Sequence, residues 1–149
     1  SFYGYVLSLH LCDRILESRG HILFIFASFS PCTITRHTDE QIEFFNSHLP
    51  YMATVNANGV PQVGPKASLK AIDASTIQYL EKTKSTAYAN LKNGSVAAIV
   101  VADVPTHKAF RVLGHAEIHE GDDYAKKIVS GTDTPEAFVV NIKIEEIDA

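Results

Sequence analysis

Two strand-forming runs, Tyr51-Met-Ala-Thr-Val-Asn-Ala57 and Val60-Pro-Gln-Val-Gly-Pro-Lys-Ala-Ser-Leu69, are separated only by Asn58-Gly59. An Asn-Gly pair between β-prone runs favours a tight reversal, because both positions tolerate the left-handed backbone that hairpin turns demand. The chain is therefore committed to antiparallel pairing. Pro61 and Pro65 lack N–H donors, which confines the second run to a sheet edge or a bulge, and Gly64 permits close backbone approach. Further strands are predicted over Thr76–Glu81, Ser95–Ala102, Ala109–Glu120 and Ala137–Ile147, with a loop at Asp103–His107. Short helices are predicted after Thr38, over Ser85–Asn93, and from Gly121-Asp122. Thr38 and Gln41 have the spacing of a capping box, and Ile42, Phe45 and Leu49 form an apolar stripe that ends at Pro50. About six strands with three short helices predict a mainly β, α+β architecture: an antiparallel barrel with helices at its rims.

The 149 residues, of which 46% are hydrophobic, suffice for one domain with a proper core. A net charge of −4 provides no broad positive field for DNA or RNA, so no nucleic-acid partner is expected and any anion must be bound locally. Cys12 and Cys32 are the only cysteines, in neither a CxxC nor a zinc pattern. That usage argues against a disulfide framework and for a reducing, cytoplasmic setting. Residues 1–37 differ in character: Ser1–Leu11 is apolar and aromatic, Asp13–Arg19 is charged, and His21–Phe29 is apolar again. The last run is shorter than the about 20 residues of a membrane span, and Phe29-Ser30-Pro31 makes a poor signal-cleavage site. The segment 1–37 reads either as an extension foreign to a domain over 38–149 or as an extra helix or hairpin packed on it.

Chemistry concentrates between Thr76 and Gly94. Tyr79 and Leu80 close a β-prone run, Lys82 and Lys84 bring positive charge, and Thr83, Ser85 and Thr86 bring hydroxyls where the first N–H groups of a helix lack partners. Gly94 supplies a left-handed stop. A strand that ends in cations and hydroxyls and then opens a helix is suited to a phosphate, and the same residues also make an ordinary solvated loop and N-cap. Elsewhere His115, Glu117 and His119 alternate along one strand and share a face. Their i, i+2 spacing of about 7 Å is wide for a tetrahedral ion, so a solvated or interface face is expected rather than a metal. No paired carboxylates and no Ser or Cys nucleophile elbow indicate hydrolysis.

The segment Leu49–Leu69, followed by Tyr79–Asn93 and by Arg111-Val-Leu-Gly-His-Ala-Glu-Ile-His119, resembles the FMN-binding split-barrel proteins of the pyridoxamine 5′-phosphate oxidase-like family. The resemblance covers roughly residues 38–147 and implies a six-stranded antiparallel split β-barrel, forming a homodimer with FMN between the subunits. By that analogy Lys66 and Ser68 on the second strand face the flavin phosphate and ribityl chain, and Lys84, Ser85 and Thr86 at the helix start complete the anion site. The backbone of Pro65, Lys66 and Ala67, and of Leu80 and Glu81, would line the isoalloxazine edge, while Arg111 and Lys108 would reach the flavin of the opposite subunit. Family members often carry Arg or Lys where this chain has Thr86, so the cationic part must come from Lys66, Lys82 or Lys84. True pyridoxamine phosphate oxidases continue into a C-terminal element whose Arg and His grip the substrate. This sequence ends at Ala149 without it, so vitamin B6 oxidation is not expected. The implied function is that of an FMN-dependent oxidoreductase of unknown substrate, with catalytic residues unassigned and no membrane partner. The alternatives are a non-catalytic FMN carrier or sensor, and a dimeric binding module that has lost its flavin. Deazaflavin or haem in place of FMN stays open for the family at large.

Overall fold

A computed structural model describes residues 35–148, so the extension expected at residues 1–37 lies, up to residue 34, outside the described residues. Helix α1 (Asp39–Ser47) opens with the expected capping box: Gln41 N–H donates to Thr38 Oγ1 at 3.1 Å, and Thr38 N–H donates to Gln41 Oε1 at 3.0 Å. It buries Phe45 and packs Ile42 and Phe44 on the core. There follow β1 (Tyr51–Val55), β2 (Pro61–Pro65), β3 (Lys70–Asp73), β4 (Thr76–Glu81), α2 (Thr86–Lys92), β5 (Ala97–Asp103), β6 (Lys108–His119), α3 (Asp123–Val129) and β7 (Phe138–Asp148). Among the described residues no helix is long and apolar enough to cross a membrane.

The β1–β2 reversal is looser than a two-residue turn. Gly59 N–H closes a turn onto the Asn56 carbonyl at 3.0 Å, with Gly59 at φ +76, and Asn56 Oδ1 accepts from the N–H groups of Asn58 and Val60 at 2.9 and 3.0 Å. The Asn56 side chain therefore organises the loop as much as Asn58-Gly59 does. The expected long strand Val60–Leu69 is divided, because Lys66–Leu69 forms a turn closed by Leu69 N–H on the Lys66 carbonyl at 3.1 Å. Only Pro61–Pro65 of that run is strand, and a further strand that the sequence did not suggest, β3, follows the turn; β2 and β3 lie at opposite edges of one antiparallel sheet, whose order is β2-β1-β5-β6-β7-β4-β3.

That order dictates the shape. In a flat sheet β2 and β3 would be about 29 Å apart, yet the chain from Pro65 to Lys70 spans at most about 18 Å. The sheet must curl until its edges face each other, without hydrogen-bonding shut. Each edge is managed locally: Lys66 N–H extends the β1–β2 ladder to the Pro50 carbonyl at 3.0 Å, and the Asn46 amide pairs with both Ala71 N–H and Ala71 carbonyl at 2.9 and 3.1 Å. β2 is exposed, as its prolines require. Nothing lies within 4 Å of a Cβ built on Gly64, so the expected close approach does not occur there.

The interior of the curl holds Met52, Leu69, Ile77, Tyr79, Ile99, Val112, Val140 and Ile142 among others. α3 packs Ala125 and Val129 on Val139 from outside, so the start of β7 is buried on both faces. His37 lies at 5% exposure between Phe45 and Phe110, with ring centroids 6.1 and 5.5 Å away, and neither of its ring nitrogens has a hydrogen-bond partner among the described residues. Burial pushes the His37 pKa down, against the opposing pull of Asp73. A lowered folded-state pKa means that stability is intact above the unfolded value of about 6.5 and is lost as pH falls below it, by at most about 1.4 kcal/mol per pH unit. Urea midpoints at pH 7.5 and 5.5 should therefore diverge in the wild type and converge in His37→Leu. Equal pH dependence in the two proteins would refute the assignment.

Candidate functional site

The seam where the sheet edges meet brings the Lys66–Leu69 turn against β4 and the β4–α2 turn. At its centre Glu81 is 1% exposed. Its Oε2 accepts from the Tyr79 hydroxyl at 3.0 Å and from Lys66 Nζ at 3.4 Å, and its Oε1 accepts from Lys84 N–H at 2.9 Å and from Thr83 Oγ1 at 3.2 Å. Tyr79 and Glu81 lie two apart on β4 and so face the same way, which the burial of both side chains reflects. The Lys66 ammonium also sits 4.8 Å from the Tyr79 ring centroid. Alongside, Ser68 Oγ reaches the Leu80 carbonyl at 3.5 Å.

Burial alone would raise the Glu81 pKa. The Lys84 N–H, the Lys66 charge and the Tyr79 hydroxyl outweigh it and hold the carboxyl below its usual range, so Glu81 is ionised at neutral pH. Burial, reinforced by the Glu81 charge, pushes the Tyr79 phenol up and keeps it a donor. Lys84 takes a left-handed backbone, φ +50, which costs a non-glycine residue about 1–2 kcal/mol. Its N–H bond to Glu81 offsets that cost.

Beyond this turn α2 begins without a side-chain cap: the Ser85 hydroxyl makes no bond to the helix, and lies 3.4 Å from Thr83 Oγ1. Thr86 is the exposed first residue of the helix. Lys84 Nζ donates to the Glu136 carbonyl at 3.3 Å and sits 3.9 Å from the Phe138 ring centroid. A cleft of about 330 Å³ adjoins it, lined by Lys82, Lys84, Asp133, Thr134, Pro135, Glu136 and Ala137.

Of the residues expected to hold a cofactor, Lys66, Ser68, Leu80, Glu81, Lys84 and Ser85 are linked in this way, with Thr86 next in the chain and Pro65 and Ala67 exposed beside Lys66. Lys66 and Ser68 lie in the turn after β2 rather than on it. Arg111 is outside the cluster: it is exposed and donates to Asp148 at 3.0 Å. It shares a cross-strand row with Pro65 through Tyr51 and Val100, about 14 Å away at ordinary strand spacing. The Glu81 side chain, which sequence reasoning used only for its backbone, is the hub. The available signal was its i, i+2 relation to Tyr79; Lys66 comes from a distant turn. On β6, His115 pairs with Glu145 at 2.5 Å and His119 lies between Glu117 and Asp122 at 3.1 and 2.7 Å, so each imidazole is engaged separately.

A curled, unclosed antiparallel sheet with short helices and a donor-rich seam is a split barrel. The model of the pyridoxamine 5′-phosphate oxidase family matches residues 37–149, and the chain belongs to that family. A candidate pyridoxamine 5′-phosphate oxidase from Lactobacillus delbrueckii is 56% identical, with a TM-score of 0.75 over 77% of this chain and 95% of that one. HupZ of Group A Streptococcus is 33% identical, with a TM-score of 0.66 over 74% of this chain and 91% of that one. An FMN-binding protein from Syntrophomonas wolfei shares the fold at 22% identity, with a TM-score of 0.52 over 71% of this chain and 80% of that one. No curated protein is significantly similar in sequence.

Proposed function

We propose that this protein binds FMN as a homodimer and acts as a flavin-dependent oxidoreductase in the cytoplasm. The observation that supports this reading is the meeting of the Lys66–Leu69 turn with β4 and the β4–α2 turn, where Lys66 and Thr83 share the Glu81 carboxylate, Ser68 reaches the Leu80 carbonyl and Ser85 lies beside Thr83. Those groups suit a phosphate monoester: Lys66 offers charge, Ser68, Ser85 and Thr86 offer directional donors, and the Lys84 ammonium, now on the Glu136 carbonyl, would have to swing over to add a second charge. The presence of an FMN-binding protein among proteins of this fold agrees with it. When bound, FMN supplies the hydride or single-electron chemistry. The chain's part is to anchor the phosphate, to set the ring along the backbone of Pro65–Ala67 and Leu80–Glu81, and to exclude water from it.

A second copy would account for a face that the other described residues leave uncovered. On the outer side of β2-β1-β5, Val63, Tyr51, Val55, Val96 and Val100 are 69%, 43%, 43%, 39% and 42% exposed, and register places Val63, Ala53, Ala98 and Leu113 in one row. A contiguous apolar face of this kind marks an interaction surface, and members of this family often form dimers. Arg111 flanks the face beside Val100, so association through it would carry Arg111 toward the partner's seam. Val63→Asp is expected to weaken the dimer by about 2–4 kcal/mol, giving monomer in sedimentation and a loss of bound flavin. A dimer that persists with flavin retained would overturn this arrangement.

The functional reading itself is tested by the visible spectrum of the purified protein incubated with FMN and then with NAD(P)H. Flavin bands near roughly 370 and 450 nm that bleach with the reductant support the oxidoreductase. Bands that persist indicate a carrier or sensor, and a colourless protein refutes flavin binding.

A further inference from the structure

All four groups that meet the Glu81 carboxylate are donors: Lys84 N–H and the Thr83 hydroxyl on one oxygen, the Tyr79 hydroxyl and the Lys66 ammonium on the other. Four donors converging on a side chain with 1% exposure call for a group that only accepts, which among side chains means an ionised carboxylate. A glutamine amide or a protonated acid would turn a hydrogen toward either the Lys84 N–H or the Lys66 ammonium, neither of which can accept it. The cradle that the family resemblance suggests for an external phosphate is thus already filled, at its inner end, by the protein's own anion.

We propose that Glu81 is the positioning residue of the anion site, a built-in counter-anion that fixes the Lys66 ammonium and the Lys82–Ser85 turn in the orientation they present to the flavin phosphate. The proposal rests on the reading of the seam as a flavin site. Lys66 is otherwise a flexible four-carbon stem that would lose rotamer freedom on meeting a ligand. Glu81 and the Tyr79 ring order it beforehand, and because an ammonium has three hydrogens, one bond to Glu81 leaves two for a ligand. The turn is held by the same carboxylate through the left-handed Lys84, and Ser85 and Thr86 follow directly. Without Glu81, Lys66 and the hydroxyls become mobile together.

The test uses the full chain and two readouts. FMN titration should show about 10- to 100-fold weaker binding in Glu81→Gln, with Glu81→Asp, which keeps two acceptor oxygens and the charge, recovering most of the affinity. A space-filling role predicts the reverse order, because glutamine preserves the volume, and that result would overturn the proposal. In Glu81→Ala, sodium formate should enter the vacated cradle and raise the melting temperature and the FMN affinity several-fold more than sodium chloride at equal ionic strength, while the wild type ignores it. Formate acting no better than chloride would overturn the proposal without touching the flavin reading. Conversely, a wild type that binds no FMN, alongside an alanine variant stabilised by formate, removes the flavin reading and leaves Glu81 as the anchor of an anion site for another ligand. If the alanine variant does not fold, the Gln and Asp affinities decide alone.

Discussion

Gly114→Ala is expected to destabilise the fold by roughly 3 kcal/mol, lowering the melting temperature by about 10 °C. A Cβ at position 114 would lie 2.2 Å from the Lys143 carbonyl oxygen and 2.9 Å from Ile142 Cγ2. The first of these is backbone and cannot rotate away. Gly114 is buried on β6 at the point where its pairing with β7 shifts register: Leu113 faces Glu146 but Gly114 faces Ile144, leaving Glu145 unopposed. That bulge draws the two backbones together, and relief of the clash would have to pry apart a central pair of the sheet. The loss should appear as a lower denaturant midpoint with little change in slope. Gly64→Ala is the control, since a Cβ there meets nothing within 4 Å, and its effect should stay within about 0.5 kcal/mol. If Gly114→Ala were as mild as Gly64→Ala, the close packing of β6 on β7 would be wrong.

These two glycines show what a sequence can convey about this fold. Both sit in strand patterns, and Gly64, flanked by Pro65, looks the better candidate for close approach. The approach occurs at Gly114 because it depends on a bulge in a partner strand that no local pattern encodes. Features closed within a few residues were legible: the Thr38–Gln41 capping box, the edge position forced by Pro61 and Pro65, the β4 boundaries, and a stop at Gly94, which indeed has φ +86. The end of the expected Val60–Leu69 strand at Pro65 and the separate short strand β3 over Lys70–Asp73 were not legible, because their cause is the curling of the whole sheet. The same division explains the site. Lys66, Ser68 and Ser85 are candidates from residue type and family resemblance, whereas the Lys66–Glu81 pairing spans 15 residues and arises only when the sheet edges meet.

Lys66→Ala combined with Ser85→Ala is expected to weaken FMN binding by about 2–4 kcal/mol, roughly 30- to 1,000-fold. In the proposed site each residue would contribute a donor to the phosphate, and the ammonium's bond would be charge-assisted. Removal of Lys66 has a second consequence, because it leaves the buried Glu81 carboxylate without its cation, close to the incoming phosphate. Thr86 cannot compensate, since it carries no charge, so the loss should fall mainly on recognition of the phosphate rather than of the ring. Circular dichroism should remain that of the wild type, since Lys66 and Ser85 lie at the seam and not in the core clusters.

Flavin selectivity isolates the phosphate most directly. FMN and riboflavin share the ring and ribityl chain and differ only in the phosphate, so paired titrations of the purified protein, followed by quenching of flavin fluorescence, read the seam alone. The wild type should bind FMN about 100-fold or more tightly than riboflavin, and the Lys66→Ala, Ser85→Ala double variant should lose most of that preference. Equal affinity for the two flavins, or binding of neither, would contradict the assignment of the seam as a flavin-phosphate site.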